Sequence, residues 1–130
     1  MIRREHWEAM RAHVSAEYPQ EACGLLAGQG GTSQAAFPIG NELVSPTHFR
    51  MDAKQQLETF LAIERAGWQL LAIYHSHPAG PPHPSQRDLQ EALYPGVAHL
   101  IWSKADGWTC LAYSLDDGRI QALEYQRLDE

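Results

Sequence analysis

The run Trp-Gln-Leu-Leu-Ala-Ile-Tyr at 68–74 constrains this chain more than any other stretch. It is far shorter than the ~20 apolar residues of a membrane span. Nearly continuous apolar character fits a strand buried in the middle of a sheet. Such a strand needs neighbours, and the surrounding pattern supplies them. Trp7, Met10, Val14 and Tyr18 recur at helical spacing and predict a helix over 4–18, ended by Pro19. Residues 22–27 form a short apolar run, Gln29-Gly30-Gly31 a turn, and 32–39 a strand paired back on it. Pro38 confines that strand to a sheet edge or a strand end. Residues 40–51, with Pro46 inside, read as irregular.

Asp52 predicts the cap of a second helix, with Gln55 three residues on in a capping-box arrangement. Leu57, Phe60 and Leu61 form its expected inner face, and Gly67 stops it. A third, short helix is expected from Gln86 to about Leu93, ended by Pro95-Gly96. Three strands then follow, at 97–103, 108–115 and 120–126, joined by hairpin turns at Asp106-Gly107 and Asp116-Asp117-Gly118. The order helix, two strands, helix, strand, helix, three strands predicts an α/β fold, a mixed β-sheet flanked by helices. One domain over 1–130 is the expectation for this length.

Composition enters as exclusion. The net charge is −6 and the ten Lys and Arg are scattered, which argues against a nucleic-acid partner or an anionic membrane surface. No signal peptide opens the chain, and two Cys make no disulfide framework. The expectation is a cytoplasmic protein with Cys23 and Cys110 reduced. Two distant Cys also build no zinc ribbon or finger, so any metal must use His and carboxylate.

The central run delivers Tyr74-His75-Ser76-His77-Pro78, followed by Ser85 and Asp88. Histidines two apart on a strand share a face, with Cα atoms about 6.6 Å apart. His75, His77 and Asp88 offer two imidazoles and a carboxylate. Three protein ligands leave a tetrahedral zinc one position for water, the count of a catalytic rather than a structural site. The His-x-His pair alone is weak, since roughly 0.4 such pairs arise per shuffled chain of this composition. Adding Pro, Ser and Asp at these offsets lowers the expectation to roughly one in ten thousand. Ser85 also reads as a helix N-cap with Asp88 in the first turn. That reading is compatible with function, because a hydroxyl accepting a backbone N–H still has its own proton to donate. The prolines at 81, 82 and 84 make the intervening loop stiff.

Hydrolysis at such a site needs a base and a group that protonates the leaving amine. Glu21, at the edge of the 22–27 run, is the candidate; an ordinary exposed Glu at a helix-to-strand corner is the alternative. Ser76 points to the opposite strand face and is assigned a structural role. His83 reads as a rim residue, His99 as a satisfied histidine in or near the core, and Cys23 as a small buried residue. His6, His13 and His48 carry no spacing signal.

Glu21, His75-Ser76-His77-Pro78, Ser85 and Asp88 together resemble the signature of the JAMM metallopeptidases, the catalytically competent MPN domains. Residues 21–28, Asn41, the helix before the histidines and Tyr94-Pro95-Gly96-Val97 are similar to the compact prokaryotic members. The resemblance implies an MPN/JAMM, cytidine-deaminase-like architecture. It implies one zinc ion per chain held by His75, His77 and Asp88. Glu21 would be the base that moves a water proton to the leaving nitrogen, and Ser85 the donor to the oxyanion. The implied substrate is an amide at the C-terminal Gly-Gly of a ubiquitin-like protein. Only about a dozen irregular residues separate Ile39 from Asp52, without the insertions of the deubiquitinating relatives. That favours a sulfur-carrier protein, trimmed after Gly-Gly or relieved of a C-terminal cysteine. The alternatives are an isopeptidase that removes a ubiquitin-like modifier from lysine and a non-catalytic MPN interaction scaffold. A DNA-repair family with a similar pattern fits the acidic charge poorly.

Overall fold

The structure is a computed structural model that describes residues 1–92, 94–104 and 107–128. Its centre is a six-stranded mixed sheet in the order β3-β2-β4-β5-β6-β7. The strands are β2 (Cys23–Gln29), β3 (Thr32–Ile39), β4 (Gln69–His77), β5 (Ala98–Ser103), β6 (Thr109–Ser114) and β7 (Gln121–Leu123). A separate parallel pair joins β1 (Ile2–Arg3) to β8 (Arg127–Leu128). Neighbours in the main sheet run antiparallel except β4 and β5, which are parallel. The predicted α/β class and the position of the 68–74 run, in the interior of the sheet, both hold.

The helices are α1 (Arg4–Glu17), α2 (Ala53–Arg65) and α3 (Gln86–Gln90). Met10 and Val14 of α1 are buried with Leu26, Tyr74, Leu100 and Trp102 in one apolar cluster. A second cluster holds Cys23, Leu25, Ile39, Met51 and Ile73, with Phe49, Phe60 and Tyr94 packed against it. Leu25 and Leu26 fall into different clusters because successive strand residues point to opposite faces. β2 and β4 approach closely at Gly24, where an added Cβ would lie 2.3 Å from the Tyr74 ring and 2.5 Å from the Phe37 carbonyl.

Several expectations are corrected. Leu57 and Leu61 do not form the inner face of α2: they are 60 % and 40 % exposed, and Ile63 is its buried residue. Asp52 caps α2 by accepting from the Gln55 amide at 2.9 Å, but the Gln55 side chain accepts instead from the Gly40 amide at 2.7 Å. The capping box is therefore half-formed, and the spare half ties α2 to the end of β3. α3 has five residues rather than eight. Leu93 and Asp106 lie outside the described residues. The strand expected at 120–126 is cut down to the three residues of β7. β7 is exposed along its length, and after it the chain crosses to pair with β1.

Candidate metal centre

His75 and His77 end β4 on the face away from α1, as period-two alternation requires. Their Nε2 atoms lie 3.0 Å apart. Asp88 meets both, with Oδ1 3.2 Å from His75 Nε2 and Oδ2 3.1 Å from His77 Nε2. What places Asp88 is the capping box of α3. Ser85 Oγ accepts from the Asp88 amide at 3.1 Å, and the Ser85 amide donates to Asp88 Oδ2 at 2.8 Å. The cap that sequence suggested is thus the device that aims the carboxylate. The stiff loop contributes directly: His77 Nδ1 lies 3.0 Å from the Pro81 carbonyl. A proton on that nitrogen, donated to Pro81, leaves the Nε2 lone pair facing His75 and Asp88. Tyr113 Oη donates to the Pro82 carbonyl at 2.9 Å and pins the loop to β6.

Glu21 precedes β2, whose Cys23 is paired with His75. It is 4 % exposed, so it is not the ordinary surface Glu of the alternative reading. Ligand atoms of Glu21, His75 and His77 all lie within 4.8 Å of one another. Ser76 holds this junction from the other face. Its Oγ accepts from the Ala22 amide at 2.8 Å, and its amide donates to the Ala22 carbonyl at 3.0 Å. Asn41 holds it from the loop side: its Nδ2 donates to the Glu21 carbonyl at 3.1 Å and the His48 carbonyl at 3.0 Å. Asn41 Oδ1 accepts from the Leu43 and Arg50 amides at 3.1 and 3.0 Å. The Glu21 amide in turn donates to the Ser45 carbonyl at 2.8 Å. One amide side chain thereby ties the 41–50 loop to the backbone of Glu21.

The electrostatics separate the two carboxylates. Burial pushes the Glu21 carboxyl up to about 8; nearby Asp88 adds to the rise and His77 opposes it. Burial also works against Asp88, but hydrogen bonds with His75 and His77 outweigh it and hold Asp88 well below the usual carboxylate range. Full burial lowers His75 against the pull of Asp88. For His77 burial is outweighed by Asp88 and the Pro81 carbonyl, and the ring is raised.

The donor set fits a small dication. Ligand distances of about 2.0–2.1 Å around a tetrahedral zinc imply donor separations of about 3.3–3.4 Å. The two Nε2 atoms stand 3.0 Å apart, and each lies 3.1–3.2 Å from one of the two Asp88 carboxylate oxygens. Two imidazole nitrogens and a carboxylate crowded this closely, with no neighbouring cation among their described contacts, are an arrangement that a shared cation relieves. Glu21 falls within ligand reach of the histidines as well. Its raised pKa sets it apart from Asp88, whose carboxyl is held low.

The remaining histidines divide. His83 is exposed on the loop, as expected of a rim residue. His6, His13 and His48 are engaged away from the centre, with Ser33, Tyr74 and Thr47. Cys23 is buried and its thiol is pushed up to about 12 by burial, in line with the structural role expected of it. Sequence reasoning missed Phe49, which stacks on the His75 ring at 4.5 Å between centroids, and gave Asn41 no structural role, although it organises the loop beside Glu21. His99 is buried, as expected of a residue in or near the core, and no hydrogen bond joins its ring to another described residue.

A buried pair of histidines at the end of an interior strand, with the carboxyl groups of Asp88 and Glu21 beside them, is compatible with the metal centre of an α/β hydrolase. Residues 3–114 match the family model of prokaryotic homologs of the JAB domain. The chain is 37 % identical over 108 residues to the CysO-cysteine peptidase of Mycobacterium tuberculosis, covering 82 % of this chain and 74 % of that protein. It is 41 % identical over 117 residues to a probable TtuB-protein conjugate cleaving protease of Thermus thermophilus, covering 89 % and 76 %. The solution structure of DSY2949 from Desulfitobacterium hafniense superposes with a TM-score of 0.86 at 33 % identity, over 100 % of this chain and 94 % of that one. The chain belongs to the prokaryotic JAB family and is a hydrolase of the JAMM type.

Proposed function

We propose that this hydrolase is zinc-dependent and cleaves the amide bond after the C-terminal Gly-Gly of a ubiquitin-like sulfur-carrier protein, releasing a terminal residue such as cysteine. The observation that carries the proposal is the convergence of His75, His77 and Asp88 at mutual distances of 3.0–3.2 Å, with the buried Glu21 beside them. The CysO-cysteine peptidase at 37 % identity supports the substrate class. In this reading one zinc ion per chain is held by His75, His77 and Asp88. Bound there, zinc would polarise the scissile carbonyl and bring the pKa of a coordinated water to about 7.

The protein's own groups do the rest. Glu21 takes a proton from the attacking water and carries it to the leaving nitrogen. A carboxyl at about 8 without the ion is drawn down by a neighbouring dication, which leaves it able to accept and return a proton near neutrality. Ser85 is exposed, and its Oγ already accepts from the Asp88 amide, so its hydroxyl proton is free for the oxyanion. Such a donor is typically worth about 2.7–4 kcal/mol in the transition state. His77 is oriented by Pro81, and Ser76 and Asn41 fix the backbone that carries Glu21. The proposal includes a single domain over the whole chain and a cytoplasmic setting.

The test is mass spectrometry of a CysO–cysteine adduct and of a carrier with an extended tail, each incubated with zinc-loaded protein. Loss of the residues beyond Gly-Gly is expected. Both substrates remaining intact would overturn the proposal. A second reading, isopeptidase release of a ubiquitin-like modifier from lysine, is favoured by the TtuB-conjugate protease at 41 % identity. Faster cleavage of an ε-linked conjugate than of a linear tail would select it. A non-catalytic scaffold would have no need of a buried Glu21, and Glu21→Gln would then leave function untouched.

A further inference from the structure

The sheet face that carries His75 continues into a cavity of about 180 Å³. Ile73 and His99, paired across β4 and β5, form its sheet side. Phe49, Met51 and Tyr94 supply apolar walls, Arg50, Gln56 and Glu91 add polar ones, and His75 and Asp88 border it directly. Whatever fills it therefore touches the reaction centre. His99 is the unexplained group. It is 7 % exposed, and its imidazole makes no hydrogen bond among the described residues. Its ring lines the cavity, so a polar atom entering there can hydrogen-bond an imidazole nitrogen that no described residue engages.

Size and position narrow the occupant. An apolar cavity of ~150 Å³ accepts benzene, so this one holds a single ring-sized or branched side chain. A tail ending in Gly-Gly offers no side chain for two residues, about 6.6 Å of extended chain. The side chain nearest the scissile bond therefore belongs to the residue being released. We propose that this cavity is the leaving-residue pocket: it receives the side chain of the amino acid that follows Gly-Gly, and His99 hydrogen-bonds a polar group on that side chain. The inference rests on the hydrolytic reading above. It makes the enzyme selective for a side chain with an apolar body and a polar tip. A site built to hydrogen-bond a hydroxyl rejects the analogue that lacks one far more strongly than an apolar pocket rejects a missing methylene.

The probe is CysO extended past Gly-Gly by one residue, Gly, Val, Thr, Phe or Tyr, with the zinc-loaded full chain. The expected kcat/KM favours Thr over Val and Tyr over Phe by about tenfold or more. His99→Leu brings each pair within about twofold. Ala92 also lines the cavity and takes no part in the proposed chemistry. Ala92→Phe should fill it, lowering Thr and Tyr cleavage about tenfold relative to Gly. Equal losses on every substrate, or an Ala92→Phe effect that follows residues upstream of Gly-Gly instead, would overturn the inference. A second readout needs no turnover: the ¹⁵N resonances of the His99 ring should move on adding millimolar free threonine, and not in Ala92→Phe. If no extended CysO is cleaved, the hydrolytic reading fails and the ring shift alone decides. Movement supports the pocket, and no movement overturns it.

Discussion

Glu21→Gln should make the metal-free protein more stable while abolishing its activity, and the size of the gain is readable from the site. The Glu21 carboxyl stands at about 8 against an ordinary value of 4.5, because burial disfavours its charge. Between those two values the folded state binds a proton that the unfolded state has released, so stability falls as pH rises. The contribution is complete below about 4.5 and lost above about 8. At 1.36 kcal/mol per unit the loss is about 3 kcal/mol by pH 7. Glutamine keeps the shape and carries no charge, so the variant escapes this loss. For a domain of this size, about 3 kcal/mol corresponds to roughly 10 °C in Tm. The assay is thermal unfolding of both proteins in chelator from pH 5 to pH 8. The difference in Tm should be small at pH 5, roughly 2 °C, and should widen steadily in favour of Glu21→Gln. A difference that is flat with pH would refute the claim that burial holds this carboxyl high.

Further outcomes follow from the same contacts. Ser85→Ala should cost about 1 kcal/mol of stability through the lost cap and lower kcat by about 10²–10³, with KM little changed; steady-state kinetics beside thermal melts separate the two losses. Asn41→Ala should leave the melt of the sheet nearly intact but increase amide hydrogen exchange across 41–50 and lower kcat, because Asn41 makes four bonds to that loop and to Glu21. Gly24→Ala should destabilise the whole fold, since its Cβ would meet the Tyr74 ring and the Phe37 carbonyl well inside contact distance. Chemical denaturation should show this as a lower midpoint, and urea unfolding of the parent chain should be a single transition if it is one domain.

The architecture was legible where pattern and packing agree. The 68–74 run became the interior strand β4, 32–39 became β3 with Pro38 near its end, and the stripe of Trp7, Met10 and Val14 became α1. It was illegible where a local run met a tertiary demand. The 120–126 segment reads as one strand, but it pairs in the main sheet only over 121–123, and the chain beyond it turns to pair with β1 at 127–128. Leu57 and Leu61 have the right spacing for a core face, yet α2 turns Ile63 inward, and periodicity carries no information about which way a helix rolls.

The site shows the same division. All five residues named from the motif are brought together, because each offset is set by local geometry: strand alternation for the histidines, a helix cap for Ser85 and Asp88, a strand start for Glu21. Asn41, Phe49 and His99 reach the site through loops and strand pairing that a single sequence does not encode locally. Asn41 before a Pro-containing irregular segment was the one available signal, since an amide with two donors and an acceptor suits a loop with unpaired backbone groups.

The most direct test is the zinc content of the purified chain beside three variants, set against cleavage of the CysO–cysteine adduct. The account predicts one zinc per chain in the parent and in Glu21→Gln, little or none in His77→Ala and Asp88→Ala, and cleavage by the parent alone. Full zinc in Asp88→Ala together with loss of the ion in Glu21→Gln would exchange the roles of the two carboxylates and contradict it.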